Sequence, residues 1–300
     1  MADTGQRRGP PPEVVTPPRF PRLENRLPAE GINSSDEHPL REFAWLVGSA
    51  LAALLLLMSL LAWGARWLAP HVPFSAELAL ADRLGLAQPK PEHAAQTASL
   101  QQLAERVSAA MRLPSGMPIT VVYDNAPVVN AYATIGGRIV VYRGLLHKLR
   151  SEDALAALLA HEIAHVRHRH VASSLGRGLA IATVLGLVSA DAGAAVAQSA
   201  LGQAAGLAML GYSREQETQS DEDAVRAVLA LYGHAGGLIE LFSSLGQSEQ
   251  GTGPAPTMLR THPLTESRLQ AVKASVARVG AALDGPVTPM PALLVRRQGS

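Results

Sequence analysis

The sequence predicts an α+β fold, mainly helical with a small antiparallel sheet, carried behind one N-terminal transmembrane helix. Three observations predict it. An uncharged apolar run occupies residues 43–64, three strand-like runs lie between 119 and 142, and segments of helical period follow from Ser151 onward.

Composition sets the bounds first. Three hundred residues suffice for one sizeable domain with extensions, and 47% hydrophobic against 17% charged residues is rich for a soluble chain. The net charge of +1 offers no electrostatic basis for a nucleic-acid partner, and none is expected. Cysteine is absent, which excludes disulfides, thiolate nucleophiles and Cys-based metal sites. Any chemistry must run on His, Asp, Glu, Ser, Lys or Tyr.

Residues 1–41 hold Pro10, Pro11, Pro12, Pro17, Pro18 and Pro21 without apolar periodicity, so a disordered Pro-rich tail is expected. Residues 42–68 follow as a membrane anchor. The bilayer is the expected partner of 43–68, because the uncharged stretch matches a hydrocarbon core of roughly 30 Å at about 1.5 Å per residue. Trp45, Trp63 and Trp67 stand near its ends, where indole rings favour the headgroup region. Arg7, Arg8, Arg19, Arg22, Arg26 and Arg41 precede the span, against Arg66 and Arg83 close after it. That asymmetry favours a cytoplasmic N-terminus. In a bacterial inner membrane, a single-pass chain of this kind carries its main domain in the periplasm; a cytoplasm-facing domain is the alternative.

Pro70, Pro73, Pro89 and Pro91 mark 69–95 as a linker, and a domain over 96–285 follows. It opens with an amphipathic helix at 96–112. Strands are expected at Ile119–Tyr123, Val128–Thr134 and Arg138–Tyr142, with Gly136-Gly137 as a hairpin turn between the last two. Ser151 is a suitable N-cap for a helix running to about Ser173, with an apolar stripe at Leu155, Leu158, Leu159, Ile163 and Val166. An Ala/Gly-rich stretch fills 177–211, helices are expected at 213–232, 235–245 and 264–283, and 286–300 reads as an irregular tail.

The chemistry centres on His161-Glu162-Ile163-Ala164-His165. Positions i and i+4 share one helix face, so both imidazoles can reach one ion. Zinc suits neutral imidazole and carboxylate ligands, and Glu162 is placed to act as a base. A third ligand is required. His168 and His170 do not continue a longer histidine motif and read as surface residues at the Arg-rich end of the helix. Glu217 and Asp221, one helical turn apart in Ser213–Asp221, form the better pair, although an acidic solvated face has the same pattern.

Four blocks in order, NAYATIGGRIVVYRGLL at 130–146, HEIAHVRHRH at 161–170, SREQETQSD at 213–221 and THPLTESR at 261–268, carry a specific resemblance. Over roughly 96–275 the chain resembles the gluzincin zinc metallopeptidases of the HtpX, Oma1 and CAAX prenyl protease type. It is nearest their bacterial periplasmic branch, that of BepA and LoiP. The resemblance implies a helical zincin domain with its sheet along the cleft, and one zinc per chain on His161, His165 and Glu217. Asp221 is then the partner of a zinc histidine. Asn130, Ala131, Tyr132 and Ala133 form an edge strand to which a protein or peptide substrate adds in extended form. Glu162 is the catalytic base for a zinc-activated water. His262 and Arg268 match late family positions: the resemblance implies that His262 either approaches the metal in a closed state or helps bind the transition state, and both, with Tyr132, are candidates to stabilise the oxyanion. The implied function is endopeptidase cleavage of misfolded or envelope proteins, as in protein quality control. The alternative is a zinc-bound envelope assembly or chaperone factor with latent protease activity. Ser220 departs from the Ala usual before the aspartate, a change small in volume.

Ligands on both sides of 178–211 must meet on one side of the bilayer, which excludes a single crossing there. Two crossings need about 40 apolar residues, and Asp191, Gln198 and Gln203 interrupt the stretch. A hairpin of two short helices turning near Asp191-Ala192-Gly193 is expected, staying with the catalytic domain and covering or bordering the cleft.

Overall fold

A computed structural model describes residues 39–188, 211–249 and 257–295. The chain divides into two units, Met1–Ala50 and Leu51–Ser300. The described part of the first is the start of helix α1 (Pro39–Leu68), whose Leu40–Leu61 portion has mean hydropathy 2.3 and exposed side chains. It is long and apolar enough to cross a membrane. The rest of α1 opens the second unit, with Trp63 and Trp67 exposed.

The segment expected as a linker is folded. Helix α2 (Phe74–Arg83) lies within it, and Phe74, Ala81 and Leu86 are buried in the main core. The prolines punctuate rather than unfold the segment: Pro70 and Pro91 fall in short 3-10 turns, and Pro73 caps α2 from outside. Helix α3 (Ala94–Ala110) follows, burying Leu100, Leu103, Ala104 and Val107 at helical spacing.

The sheet has strands β1 (Thr120–Asp124), β2 (Ala131–Thr134) and β3 (Arg138–Tyr142) in the order β1-β3-β2. It is mixed rather than wholly antiparallel. β2 and β3 pair antiparallel with Ala133 opposite Ile139, while β1 runs parallel to β3 with Val122 opposite Val140. The short β2–β3 connection forces those two strands side by side. The chain after β1 therefore crosses to the far edge before β3 returns to the centre, and that return sets the parallel pair. The turn Ile135–Gly137 needs both glycines, since Gly136 and Gly137 have φ of 72° and 68°. A Cβ on Gly137 would lie 2.3 Å from the carbonyl oxygen of Pro118.

After the one-turn helix α4 (Arg143–Leu146) comes α5 (Glu152–Arg167), buried in the core of the second unit. Ser151 Oγ accepts from the Ala154 N–H at 3.1 Å and starts it. Every residue from Asp153 to Val166 is buried, so the expected stripe is one side of a helix enclosed all round. Leu155, Leu158, Leu159 and Ile163 fill the core, and alanines at 154, 156, 157, 160 and 164 let neighbouring helices approach closely. Each large apolar side chain so buried contributes about 1.5–3 kcal/mol.

The helix does not continue to Ser173. It ends at Arg167, Arg169 adopts φ 59°, and α6 (His170–Val188) leaves in a new direction. The expected turn near Asp191 lies outside the described residues. Helix α7 (Arg214–Tyr232) starts in a capping box: Ser213 Oγ accepts from Gln216 N, and Gln216 Oε1 accepts from Ser213 N. Gly233, at φ 79°, closes it. Helices α8 (Gly236–Glu249), α9 (Thr257–Thr261) and α10 (Glu266–Arg278) follow, the last capped by Thr265. The expected irregular tail includes a short helix, α11 (Ala292–Val295), with Leu294 buried. Thr288 N donates to Asp153 Oδ1 at 2.9 Å and its carbonyl accepts from Glu152 N, so this segment closes the start of α5.

Candidate metal centre

α5 and α7 pack against each other, and the helical period decides which side chains meet. His161 and His165 lie one turn apart on α5; Glu217 and Asp221 lie one turn apart on α7. The capping box sets where α7 begins and hence which carboxylates face inward. Glu217 and Asp221 are buried, whereas Glu215 is exposed.

His161 Nε2 and His165 Nε2 are 3.1 Å apart, and Glu217 places Oε2 at 3.5 Å from the first and Oε1 at 3.5 Å from the second. The Nδ1 of His262 lies 3.3 Å from His161 Nε2 and 2.9 Å from Glu217 Oε1. The four donor atoms all fall within 4.8 Å of one another. Tetrahedral zinc at 2.0–2.1 Å from its ligands requires donor separations of about 3.3 Å, so the set fits that ion in size and in chemistry. His262, expected from the resemblance either to approach the metal or to help bind the transition state, stands at the fourth corner of the donor set.

The partners of the donors are equally ordered. His161 Nδ1 donates to Asp221 Oδ1 at 3.0 Å, which leaves Nε2 for a metal. Arg268, in the first turn of α10, grips Asp221 through Nε and Nη2, both at 2.8 Å, and reaches Glu217 Oε2 with Nη1 at 2.6 Å. Its guanidinium therefore holds the carboxylates of α7. Glu162 Oε2 accepts from the Ala133 N–H of β2 at 2.9 Å, and its Oε1 is buried without a hydrogen-bond partner among the described residues, 3.6 Å from His262 Nε2. An unsatisfied carboxylate oxygen beside a cluster of imidazoles suits a base awaiting a water.

Of the expected edge strand, Ala131, Tyr132 and Ala133 lie in β2, an edge of the sheet. Asn130 lies just before it, buried, with Oδ1 lacking a partner among the described residues. Tyr132 sits against Tyr142 with ring centroids 6.1 Å apart.

Burial and charge set the titration of the site. Burial opposes a charge on His161, yet hydrogen bonds to Asp221 and Glu217 outweigh it and lift its pKa to about 10. Burial and the charge of His161 hold His165 well below its ordinary value. Glu162 is raised by burial, only partly offset by His262 and His161. Burial would raise Glu217, but His262 and His161 drive it far below the usual carboxylate range. A cluster carrying this many carboxylates around buried imidazoles draws positive charge, which a divalent cation supplies.

One contributor went unread in the sequence, and another was expected elsewhere. Tyr212 stacks on His165 with centroids 3.8 Å apart and planes at 27°; its position immediately before the Ser213 cap was the available signal. His170, expected at the surface, is buried, with its Nδ1 3.1 Å from that of His165. Burial lowers its pKa to about 4, with Gln219 opposing. His168 is exposed and bonds to Asp223 at 3.0 Å.

The chain is similar in sequence to known proteins. A family model described as Peptidase family M48 matches residues 94–276, more than half of the chain. The beta-barrel assembly-enhancing protease of Escherichia coli is 31% identical over 158 residues, covering 48% of this chain and 32% of that protein. The mitochondrial metalloendopeptidase OMA1 of Schizosaccharomyces pombe is 29% identical over 147 residues, 49% of this chain and 43% of the relative. The E. coli metalloprotease YcaL is 26% identical over 166 residues, 54% and 64% of the two chains. The matched region thus spans a third to somewhat under two thirds of these relatives' lengths.

Proposed function

The chain belongs to peptidase family M48, and we propose on that premise that it is a membrane-anchored zinc metalloendopeptidase. The observation that carries the reading is the convergence of His161 and His165 from α5 with Glu217 from α7 at zinc-ligand spacing, beside an unsatisfied Glu162 oxygen. These three residues would hold the ion. When bound, zinc supplies Lewis acidity toward a water and a peptide carbonyl. Glu162 takes the proton from the attacking water and returns it to the departing amine. Its raised pKa makes it a better proton acceptor than an ordinary carboxylate. Asp221 holds His161 in its metal-binding tautomer, and Arg268 holds Asp221. An extended peptide lies along β2, beside Ala131 and Ala133.

The relatives are a beta-barrel assembly-enhancing protease, a mitochondrial metalloendopeptidase and a metalloprotease, and misfolded or envelope proteins are the substrate class proposed here. The domain is assigned to the periplasmic side of a bacterial inner membrane, from the arginine asymmetry around α1. The test is the full chain in detergent against an unfolded protein substrate, with zinc analysis before and after chelation. Cleavage lost on chelation and restored by zinc supports the reading; one equivalent of zinc with no cleavage of any unfolded substrate overturns it. A reporter fused after Ser300 decides the side of the membrane.

A further inference from the structure

On an unbroken helix His165 and His170 could not touch, because five residues at about 100° each leave them about 140° apart. The break after α5 removes that restriction. Arg169 turns through the left-handed region at φ 59°, and His170 returns toward the metal helix with Nδ1 3.1 Å from His165 Nδ1. That conformation disfavours a non-glycine residue, and here the Arg169 side chain stabilises it. It is buried, paired with Glu77 at 2.6 Å, bonded to the Val72 carbonyl at 2.7 Å, and seated 5.4 Å over the Phe74 ring.

The hydrogen-bond order follows from the donor set. His165 Nε2 faces His161 Nε2 and Glu217 in the metal cluster, so its ring proton belongs on Nδ1. The atom opposite is His170 Nδ1, which must accept. The remaining nitrogen of His170, Nε2, then donates to Gln219 Oε1 at 3.1 Å. An amide oxygen cannot donate, so Gln219 orders both rings in turn. Gln219 sits on α7 between Glu217 and Asp221, so the helix that supplies a ligand also orders a histidine on α5.

We propose that His170, ordered by Gln219, is a positioning residue that fixes the tautomer and ring orientation of the metal ligand His165. It does for His165 what Asp221 does for His161, with a neutral acceptor in place of a carboxylate. The inference rests on the metallopeptidase reading for the role of His165. It goes beyond that reading in assigning a function to His170, Gln219 and the break at Arg169.

The test is zinc affinity of the full chain in detergent, measured by competition with a chromophoric chelator, alongside the unfolding midpoint of the metal-free protein. His170→Leu keeps volume and removes the acceptor. His170→Asn places Oδ1 close to the position of Nδ1 and keeps it. The leucine variant should bind zinc roughly 10- to 100-fold more weakly, as expected for loss of an outer partner, while the asparagine variant stays near wild type. Gln219→Ala should fall between them. A purely packing role predicts the reverse, since leucine fills the site better than asparagine. Equal affinities for the leucine and asparagine variants, whether both unchanged or both weakened, would overturn the inference while a zinc-loaded wild type left the metallopeptidase reading standing. A wild-type chain that takes up no zinc would overturn both.

Discussion

Ala133 donates its backbone N–H to Oε2 of Glu162 at 2.9 Å, so one hydrogen bond joins the edge strand of the sheet to the residue beside His161. The bond orients Glu162 and leaves Oε1, 3.6 Å from His262 Nε2, without a hydrogen-bond partner among the described residues. Strand and Glu162 therefore share one reference frame: in the proposed reading, a peptide laid along β2 would have its position defined relative to Glu162 by the backbone itself. Glu162→Gln keeps the shape and the bond from Ala133 but cannot accept a proton. Hydrolysis should fall by about 10²-fold or more with zinc still near one per chain. Loss of metal together with activity would mean Glu162 has been assigned the wrong role.

Glu217 and Asp221 differ in role although they share a helix face. Glu217→Ala removes a donor and should abolish tight zinc binding. Asp221→Ala leaves all donors in place and should weaken binding by roughly 10- to 100-fold. Glu215→Ala, at an exposed position, serves as the control. Chelator competition on the three variants checks the order. Greater sensitivity at Glu215 than at Glu217 would contradict the placement of α7.

His262 holds the fourth corner of the donor set, where a hydrolytic site keeps an open position. Its removal should open that position. His262→Ala is expected to retain zinc through three ligands and to cleave a short unfolded peptide several-fold faster than wild type. Slower cleavage with unchanged zinc content would instead place His262 among the groups that stabilise the transition state.

Asp223 lies away from the donor set, buried and bonded to His168 and Arg226. Burial would raise its pKa, but those two partners outweigh burial and lower it. A depressed carboxyl stabilises the fold above its unfolded value of about 3.9 and loses that contribution as pH falls through the folded value. In metal-free protein, Asp223→Asn should cost about 1–3 kcal/mol near neutral pH. The difference from wild type should shrink below about pH 4. Urea unfolding across pH measures it, and a constant difference down to pH 2 would refute it.

Truncation separates the anchor from the domain. A chain starting at Ala69 keeps α2 and should be soluble, folded and zinc-loaded without detergent. Stable partition into membranes would mean that residues 178–211 insert as a hairpin. A chain starting at Gln96 loses Phe74, Ala81 and Leu86 from the core and Glu77 from Arg169. At about 1.5–3 kcal/mol for each large apolar side chain, it should unfold at a clearly lower temperature. Equal melting temperatures for the two would restore 69–95 to the status of a linker.

What the sequence determined by itself is local. Helical period placed His161 with His165 and Glu217 with Asp221, Ser151 marked a helix start, and Gly136-Gly137 marked the turn, because each depends on residues within a few positions of one another. Tertiary structure decided the rest. The prolines of 69–95 read as linker, yet apolar side chains at helical spacing bury α2 against the β2–β3 turn. The parallel pairing of β1 with β3 depends on which edge the chain crosses to, a choice no strand records. The break at Arg169 is invisible to periodicity. It is stabilised by Glu77, 92 positions earlier, and it carries His170 from an expected surface position into contact with His165. Arg268 likewise becomes a partner of Asp221 only when α10 packs on α7. Helix signals arise from neighbours along the chain, whereas ion pairs and ring contacts arise from neighbours in space, and only folding brings those together.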